Sequence, residues 1–517
     1  MSSRPNVLFV MSDQHNAKVL GGGPVYPAQT PSLDRLAAQG VRFDCAIAQS
    51  PICTPSRVSF HSGQYCHNHG YYALSGPEPG GLPSVFGRFR SAGYRTAAIG
   101  KIHCPAGWIE RDCDTFIDVV GTSIGGNPEY RRYLEETGAA GDYLNQRTFF
   151  ERHGGRDPDV LREQDPSLYL RTCDGGPSDL PHEHSPEGFA VSRTVEFIRA
   201  AAHAGKPFFV HTSFERPHQL YSPSRRFWDL YEGQDLPLPP NADYEMAGKA
   251  PHLRRDAEFW RRSDWAVFEP RTYEAARLRK LRGYLGNVSQ VDYAVGELLG
   301  YLDSAGLAED TIVIYTADHG DYAAEHGCME KAPGICSDAI TRVPSIWRWP
   351  GRFRAGHVAR DVVESVDLAP TLAALSGIGD MPSADGLDIR PLLEGESREI
   401  HRIGVTENPW SRSVRRGRHR LVWYPRELFE AEYPEGFGEL YDLEADPWEM
   451  ENLYFRPQYG PLVRELEKEL LDWLVTTTRV VTFPWGLAAN TFKDRFLDPD
   501  GKLNPRRFGP FETIHYV

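Results

Sequence analysis

The sequence predicts an α/β fold: a large, mostly parallel sheet between layers of helices, then a smaller α+β subdomain on a short antiparallel sheet. Three observations carry this. Apolar, largely β-branched runs at 6–11, 95–99, 207–213 and 311–316 each end in charged or polar residues. Buried parallel strands read as such runs, and open α/β sheets place their ligands at the carboxyl ends. Helical patterns separate the runs, the longest over Thr272–Asp303, and short strand-like runs cluster after residue 400. The division expected is residues 1–380 for the α/β domain and 381–517 for the subdomain.

Length allows this division, since 517 residues suit one large domain plus a smaller one. A hydrophobic content of 40% indicates a packed core, not a disordered chain. The net charge of −14 argues against nucleic acid and anionic membrane surfaces as partners. An acidic protein that handles an anion must concentrate its positive charge locally. The first apolar run is too short for a secretory leader and reads as a strand, and no stretch is long and apolar enough to span a membrane. The 8 cysteines show neither CxxC pairs nor the density of a disulfide framework. A cytoplasmic protein with free thiols is expected.

Taken in order, Asn6–Met11 is the first strand and delivers Ser12-Asp13-Gln14-His15. Thr30–Gly40 has a start cap, a helical body and a glycine stop, and Val41–Phe43 is a short strand. Cys53-Thr54-Pro55-Ser56-Arg57 then lies where a loop becomes a helix, with Ser62-Gly63 closing it. Ser84–Ala92 is helical, and the strand Arg95–Ile99 delivers Gly100-Lys101-Ile102-His103. Residues 104–185 read as an irregular excursion. Pro186–Ala204 is an amphipathic helix before the strand at 207–213, which leads to Glu215-Arg216-Pro217-His218. A second irregular, tryptophan-rich excursion spans 220–268. After the long helix, Thr311–Thr316 ends in Ala317-Asp318-His319-Gly320-Asp321, and Glu330-Lys331 follows. Arg342–Trp349 is a strand, Ser365–Leu372 opens a helix, and 377–396 is a connector. Strands are expected at 401–406, 412–416, 419–424 and from 439, with a final helix over 462–477. The aromatic tail from 483 to 517 could pack back on the domain or make a homo-oligomer.

Several of these residues carry chemistry, each beside a plainer reading. Cys53 sits by free backbone N–H groups and the positive end of a helix dipole, which suits an anionic ligand. It reads either as a buried structural cysteine or as a thiolate activated by the helix end and Arg57. Asp13 could cap the next helix, Lys101 and His103 could be a surface pair, and His218 could be a turn residue. Tyr65-Cys66-His67-Asn68-His69 reads as a polar loop, with Asn68 a candidate pocket lining.

Cys53-Thr54-Pro55-Ser56-Arg57 with Ser62-Gly63 resembles the signature of the formylglycine-dependent (type I) sulfatases of the alkaline phosphatase superfamily. Asp13, Lys101/His103, His218 and Asp318/His319/Lys331 match further family segments in type and order. The resemblance covers most of residues 6–105, 207–223, 311–375 and 401–455, and implies an alkaline-phosphatase-like sheet. It also implies a sulfuric ester hydrolase acting on a small-molecule or carbohydrate sulfate monoester. Cys53 would be converted by a maturation enzyme to formylglycine (3-oxoalanine), whose hydrate supplies the nucleophile. Asp13, Gln14, Cys53, Asp318 and His319 would hold one divalent metal, Gln14 as a weaker, neutral ligand or as a group supporting the ligands from behind, with Ca2+ favoured and Mn2+ its competitor. Arg57, Lys101, His218 and Lys331 would surround the sulfate, His218 as leaving-group acid and His103 as the base that helps release the product. Asp13-Gln14 and Asp318-His319 depart from the family's Asp-Asp and Asp-Asn patterns toward phosphonate monoester hydrolases and choline-sulfatase-like members. Phosphonate monoester or phosphodiester hydrolysis is therefore the alternative activity, and a non-catalytic metal-binding scaffold a further one.

Overall fold

The computed structural model describes residues 4–76, 81–119, 127–140, 175–261, 270, 272–331, 335–396 and 399–478. An eight-stranded sheet runs through it in the order β4-β3-β5-β1-β6-β7-β2-β8. Its central strands are β1 (Asn6–Asp13), β3 (Arg95–Gly100), β5 (Phe208–Pro217) and β6 (Thr311–Ala317), parallel to one another. β4 (Thr115–Asp118) continues the parallel set on one side. On the other, β7 (Arg342–Arg348) lies antiparallel between β6 and β2 (Val41–Ile47), and β8 (His357–Glu364) pairs parallel with β2. The sheet is mixed and mostly parallel.

Side-chain alternation along β1 explains the three layers. Val7, Phe9 and Met11 point to one face, into a core with Val58, Phe60, Phe86, Phe89 and Leu372. Leu8 and Val10 point to the other, against Phe189, Ile198, Val295 and Leu298. The first face is therefore covered by α1 (Cys53–Ser62), α2 (Val85–Ser91) and the helix Leu368–Leu375. The second is covered by the helices Pro186–His203 and Tyr273–Ser304. With both faces buried, the strands must be apolar throughout, and polar residues are tolerated only where the strands end.

The chain after 400 forms a four-stranded antiparallel sheet, β12-β11-β10-β9. β9 (Gly404–Asn408), β10 (Ser411–Arg416), β11 (His419–Trp423) and β12 (Gly438–Asp442) carry Val405, Val414, Leu421 and Leu440. These pack on Val463, Leu466 and Leu470 of the helix Gly460–Thr477, as an amphipathic helix on a one-sided sheet requires.

Three expectations need correction. The excursion 104–185 holds β4 and the helix Pro128–Glu136, and the excursion 220–268 holds the helices Arg225–Trp228 and Pro251–Arg261. Pro251–Arg261 buries Leu253, Ala257 and Trp260, spaced for one face, although its other positions are strongly charged. β8 was not expected, because polar residues at 357, 360, 361 and 364 give this edge strand neither a continuous apolar run nor strict alternation. Much of the first excursion, residues 262–268 of the second and the tail from 483 lie outside the described residues, as does the oligomer expected of that tail. Among the described residues no helix is long and apolar enough to cross a membrane.

Candidate active site

Neighbouring parallel strands end at one edge and bring their polar ends together. Register aligns Ser12 with Ala317, Asp13 with Pro217 and Gly100 with Ser213, so β3, β5, β1 and β6 present Lys101, His218, Asp13 and Asp318 side by side. The approach of β3 to β5 requires glycine at position 100. Its φ is +102°, and a Cβ there would lie 1.9 Å from the Ser213 carbonyl oxygen.

α1 supplies the fifth component. It starts at Cys53 behind the extended residue Ile52, ends on left-handed Gly63, and all ten of its residues are buried. Pro55 lies in the first turn, where its missing N–H costs no intrahelical bond. The helix enters beneath the sheet edge with its amino-terminal residue foremost. Ser56 Oγ donates to the Asp318 carbonyl at 2.6 Å, and Thr54 Oγ1 to the His103 carbonyl at 3.0 Å, which lock the first turn in place.

Ligand atoms of Asp13, Cys53, Asp318 and His319 all lie within 4.8 Å of one another, and all four residues are buried. His319 Nδ1 pairs with the Gly320 carbonyl at 2.9 Å, so that nitrogen carries the proton. Nε2 faces the cluster, 3.1 Å from Cys53 Sγ and 3.8 Å from both Asp13 Oδ1 and Asp318 Oδ1; burial opposes a charge on the ring, but Asp318 and Cys53 raise it above its ordinary value. Two carboxylates and one imidazole, with the Cys53 side chain beside them, form a donor set of hard oxygens and one nitrogen for a divalent cation. The residues present therefore fit a metal.

Charge around this centre is balanced by buried cations. Arg57, fully buried, donates through Nε to Asp318 Oδ2 at 2.8 Å and through Nη2 to Asp13 Oδ2 at 3.0 Å. Its remaining nitrogen donates to Ser213 Oγ at 2.9 Å and to the Lys101 carbonyl. Lys101 Nζ lies 2.9 Å from Asp13 Oδ2. Burial alone would push the Asp13 carboxyl up; Lys101, His218, Arg57 and His319 hold it well below its ordinary value. For Asp318 burial prevails, helped by the Asp13 charge, and the carboxyl is raised despite Arg57. The two carboxylates thus resist ionising together without a further cation. The Cys53 thiol is pushed up by burial and by Asp13, but Lys331, His319 and a hydrogen bond with His103 bring it well below normal.

The remaining expected site residues fall around this centre with one exception. His218 donates its backbone N–H to the Asp13 carbonyl at 3.1 Å, and its Nδ1 pairs with the Gln219 carbonyl at 2.7 Å, leaving Nε2 as the outward atom. Burial, then Lys101 and Lys331, hold its imidazole well below the ordinary value. Lys331 Nζ donates to Gln14 Oε1 at 3.0 Å. Gln14 Nε2 donates to Asp321 Oδ2 at 2.5 Å and to Gln219 Oε1 at 3.3 Å. Asn68 is placed elsewhere, donating to Asp385 Oδ2 at 2.8 Å and to the Thr477 carbonyl at 2.9 Å. Three participants were not singled out from sequence: Ser213, Gln219 and Asp321. Asp321, three residues beyond Asp318 in the same cluster, was the one that proximity could have flagged.

Comparisons with known proteins agree with this geometry. The sulfatase family model matches residues 5–378, and the model of the N-sulphoglucosamine sulphohydrolase C-terminal region matches 324–475. The chain belongs to the sulfatase family. It is 26% identical over 487 residues to an arylsulfatase of Clostridium perfringens, covering 91% of this chain and 94% of the relative. It is 25% identical over 545 residues to an N-acetylglucosamine-6-O-sulfatase of Bacteroides thetaiotaomicron, covering 92% and 87%. The solved phosphonate monoester hydrolase of Silicibacter pomeroyi superposes with a TM-score of 0.72 at 22% identity, covering 94% and 97%, and shares the fold. The sulfatase is a sulfuric ester hydrolase, and its site has the charged groups that cleavage of a sulfate ester requires.

Proposed function

We propose that this sulfatase cleaves a sulfate monoester of a carbohydrate with a formylglycine formed from Cys53 and a divalent metal held by Asp13, Asp318, His319 and residue 53. One observation carries the reading. The Cys53 sulfur stands at the first turn of a buried helix, 3.1 Å from His319 Nε2 and 3.8 Å from Asp13 Oδ1. A structural cysteine does not need two carboxylates and an imidazole converging on its sulfur. In the matured protein the aldehyde carbon and its hydrate oxygens stand where that sulfur now is. The hydrate supplies a nucleophilic hydroxyl and, through its second hydroxyl, an exit for sulfate. The metal supplies charge for a sulfuryl oxygen and for the nucleophile, and Ca2+ and Mn2+ both suit its donors.

The chain's own residues do the rest. Lys101 and Lys331 offset the negative charge of the sulfate group. Arg57 acts differently from the sequence-based expectation. Its nitrogens are taken up by Asp13, Asp318, Ser213 and the Lys101 carbonyl, so it sets the carboxylates and leaves sulfate contact to the lysines. His218, with Nδ1 fixed, presents Nε2 to the leaving oxygen, and an arriving anion raises its basicity so that it can carry the proton. His103, hydrogen-bonded to residue 53, is placed to take the hydrate proton in the second half-reaction.

The named action of the glucosamine-sulfate relative supports a sugar as the alcohol. The seven described cysteines are all free, which fits maturation and work in a reducing compartment. Gln14 beside Asp13 and His319 beside Asp318 support a second reading, a phosphonate monoester as alternative substrate. The test is hydrolysis of one aryl alcohol presented as its sulfate and as its phosphonate monoester. The enzyme used has residue 53 confirmed as aldehyde by mass spectrometry. A higher kcat/KM for the sulfate is expected; a clear preference for the phosphonate would reassign the activity.

A further inference from the structure

Gln14 interrupts what would otherwise be an all-charged metal edge, and its amide is engaged at both ends. At the nitrogen end it donates to Asp321 and Gln219; at the oxygen end it accepts from Lys331. Asp321 is itself held by four donors. Oδ1 accepts from the backbone N–H groups of Ala323 at 2.6 Å and Glu330 at 3.1 Å. Oδ2 accepts from Gln14 and from the Tyr221 hydroxyl at 2.8 Å. One buried carboxylate thus reaches Lys331 by two routes, through the backbone of Glu330 just before it and through Gln14 onto its ammonium.

Backbone conformation marks the same two residues. Gln14 at φ +70° and Glu330 at φ +67° occupy the left-handed region that favours glycine. Each is held there by hydrogen bonds. The Gln14 N–H donates to Asp318 Oδ1 at 3.0 Å, its carbonyl accepts from Tyr284 at 2.9 Å, and the Glu330 carbonyl accepts from the Tyr322 N–H at 2.9 Å. Non-glycine residues persist in this region where the surroundings over-determine them, as they do at functional sites.

We propose that Asp321 and Gln14 form a clip that positions the Lys331 ammonium beside residue 53, and that Gln14 is a positioning residue and not a metal ligand. The chemistry requires an amide at position 14. Its two ends must donate to a carboxylate and accept from an ammonium, which neither a carboxylate nor an apolar side chain can do. A divalent cation on Gln14 Oε1 would share that oxygen with the Lys331 cation 3.0 Å away, and the like charges would repel. The proposal rests on residue 53 being the nucleophile that Lys331 serves.

The test compares Gln14→Leu, Gln14→Glu, Lys331→Ala and the Gln14→Leu/Lys331→Ala double variant. Two readouts are used: aryl sulfate turnover by aldehyde-verified enzyme, and calorimetric titration of Mn2+ into metal-free protein. Gln14→Leu is expected to lower kcat/KM by about 10²-fold, as a displaced catalytic group does. In the Lys331→Ala background the same change should cost less than about threefold, because residues acting as a unit are not additive. Mn2+ affinity should stay within about threefold of wild type in Gln14→Leu and should not tighten in Gln14→Glu, whose carboxylate faces Asp321. Additive losses, a Mn2+ affinity about tenfold weaker in Gln14→Leu, or tighter Mn2+ binding by Gln14→Glu would each overturn the clip. Should the wild-type protein turn over no sulfate ester, the functional reading fails, and the Mn2+ titrations still decide the role of Gln14.

Discussion

Two regions of this sulfatase bury charge, and they do so in opposite ways. At the seam between the small antiparallel sheet and the large domain, opposite charges are paired off. Glu407 of β9 accepts from His67 at 2.9 Å and Tyr72 at 3.1 Å and pairs with Arg412 at 3.0 Å. Burial pushes its carboxyl up, but Arg412 and His67 bring it down to about 2. Glu449 is gripped by Arg420 and accepts from Ser337 Oγ at 2.8 Å. At the carboxyl edge of the large sheet, by contrast, Asp13 and Asp318 are paired with Arg57 and Lys101 on one side only, and on the other their ligand atoms and those of Cys53 and His319 converge within 4.8 Å of one another. Saturated pairs fix how elements meet; converging ligand atoms cost stability and are retained to hold and activate something else.

Four measurements sharpen or break that contrast. Cys53→Ala should lower kcat by more than about 10⁴-fold while leaving the melting temperature close to wild type. Retained turnover would remove position 53 from the chemistry. Arg57→Leu strips the cation that bridges Asp13 and Asp318 and should cost about 3–5 kcal/mol in the metal-free protein, by denaturant titration. Added Mn2+ should recover part of that loss, since it supplies the missing positive charge; no recovery would place no metal between the carboxylates.

Arg420→Met at the seam should cost about 3 kcal/mol and leave kcat/KM of the folded fraction near wild type. A large loss of turnover without loss of stability would show that the seam feeds the active site. The smallest effect concerns pH. His401 lies 2.9 Å from both Asp367 carboxylate oxygens and 3.5 Å from Glu364. Burial opposes its charge, but Asp367 and Glu364 raise it to about 9. Its folded value exceeds its unfolded one, so its contribution is complete below about pH 6.5 and fades as pH rises through 9. Unfolding free energies at pH 6 and 9.5, from denaturant titrations, should differ by roughly 2 kcal/mol less in His401→Gln than in wild type. An unchanged difference would mean that the pair does not link protonation to folding.

The same contrast explains what could be read from the sequence. β1, β3, β5 and β6 were legible because strands buried on both faces leave continuous apolar runs, and their polar ends stood out against them. Lys101, His218 and Asp318 were legible as candidates for that reason, and Cys53 because it stands where a loop becomes a helix. β8 was not, because at an edge its Arg360 and Asp361 interrupt the apolar pattern. The helix Pro251–Arg261 was hidden by the charges on its other face. The partners of Arg57 and Gln14 were beyond reach for another reason. Arg57 joins Asp13, Ser213 and Asp318, and Gln14 joins Asp321 and Lys331, across separations that only the folded sheet closes. A cation near a nucleophile can be inferred from sequence, but which of its atoms remain for substrate cannot.

The most direct test of the account is sulfate-ester turnover by aldehyde-verified enzyme as its metal is stripped by a chelator and then restored. The account predicts that activity disappears with the metal and returns as one equivalent of Ca2+ or Mn2+ per chain is added back. Full turnover by the metal-free enzyme would contradict the claim that the carboxylates and imidazole around residue 53 are there to hold a catalytic cation.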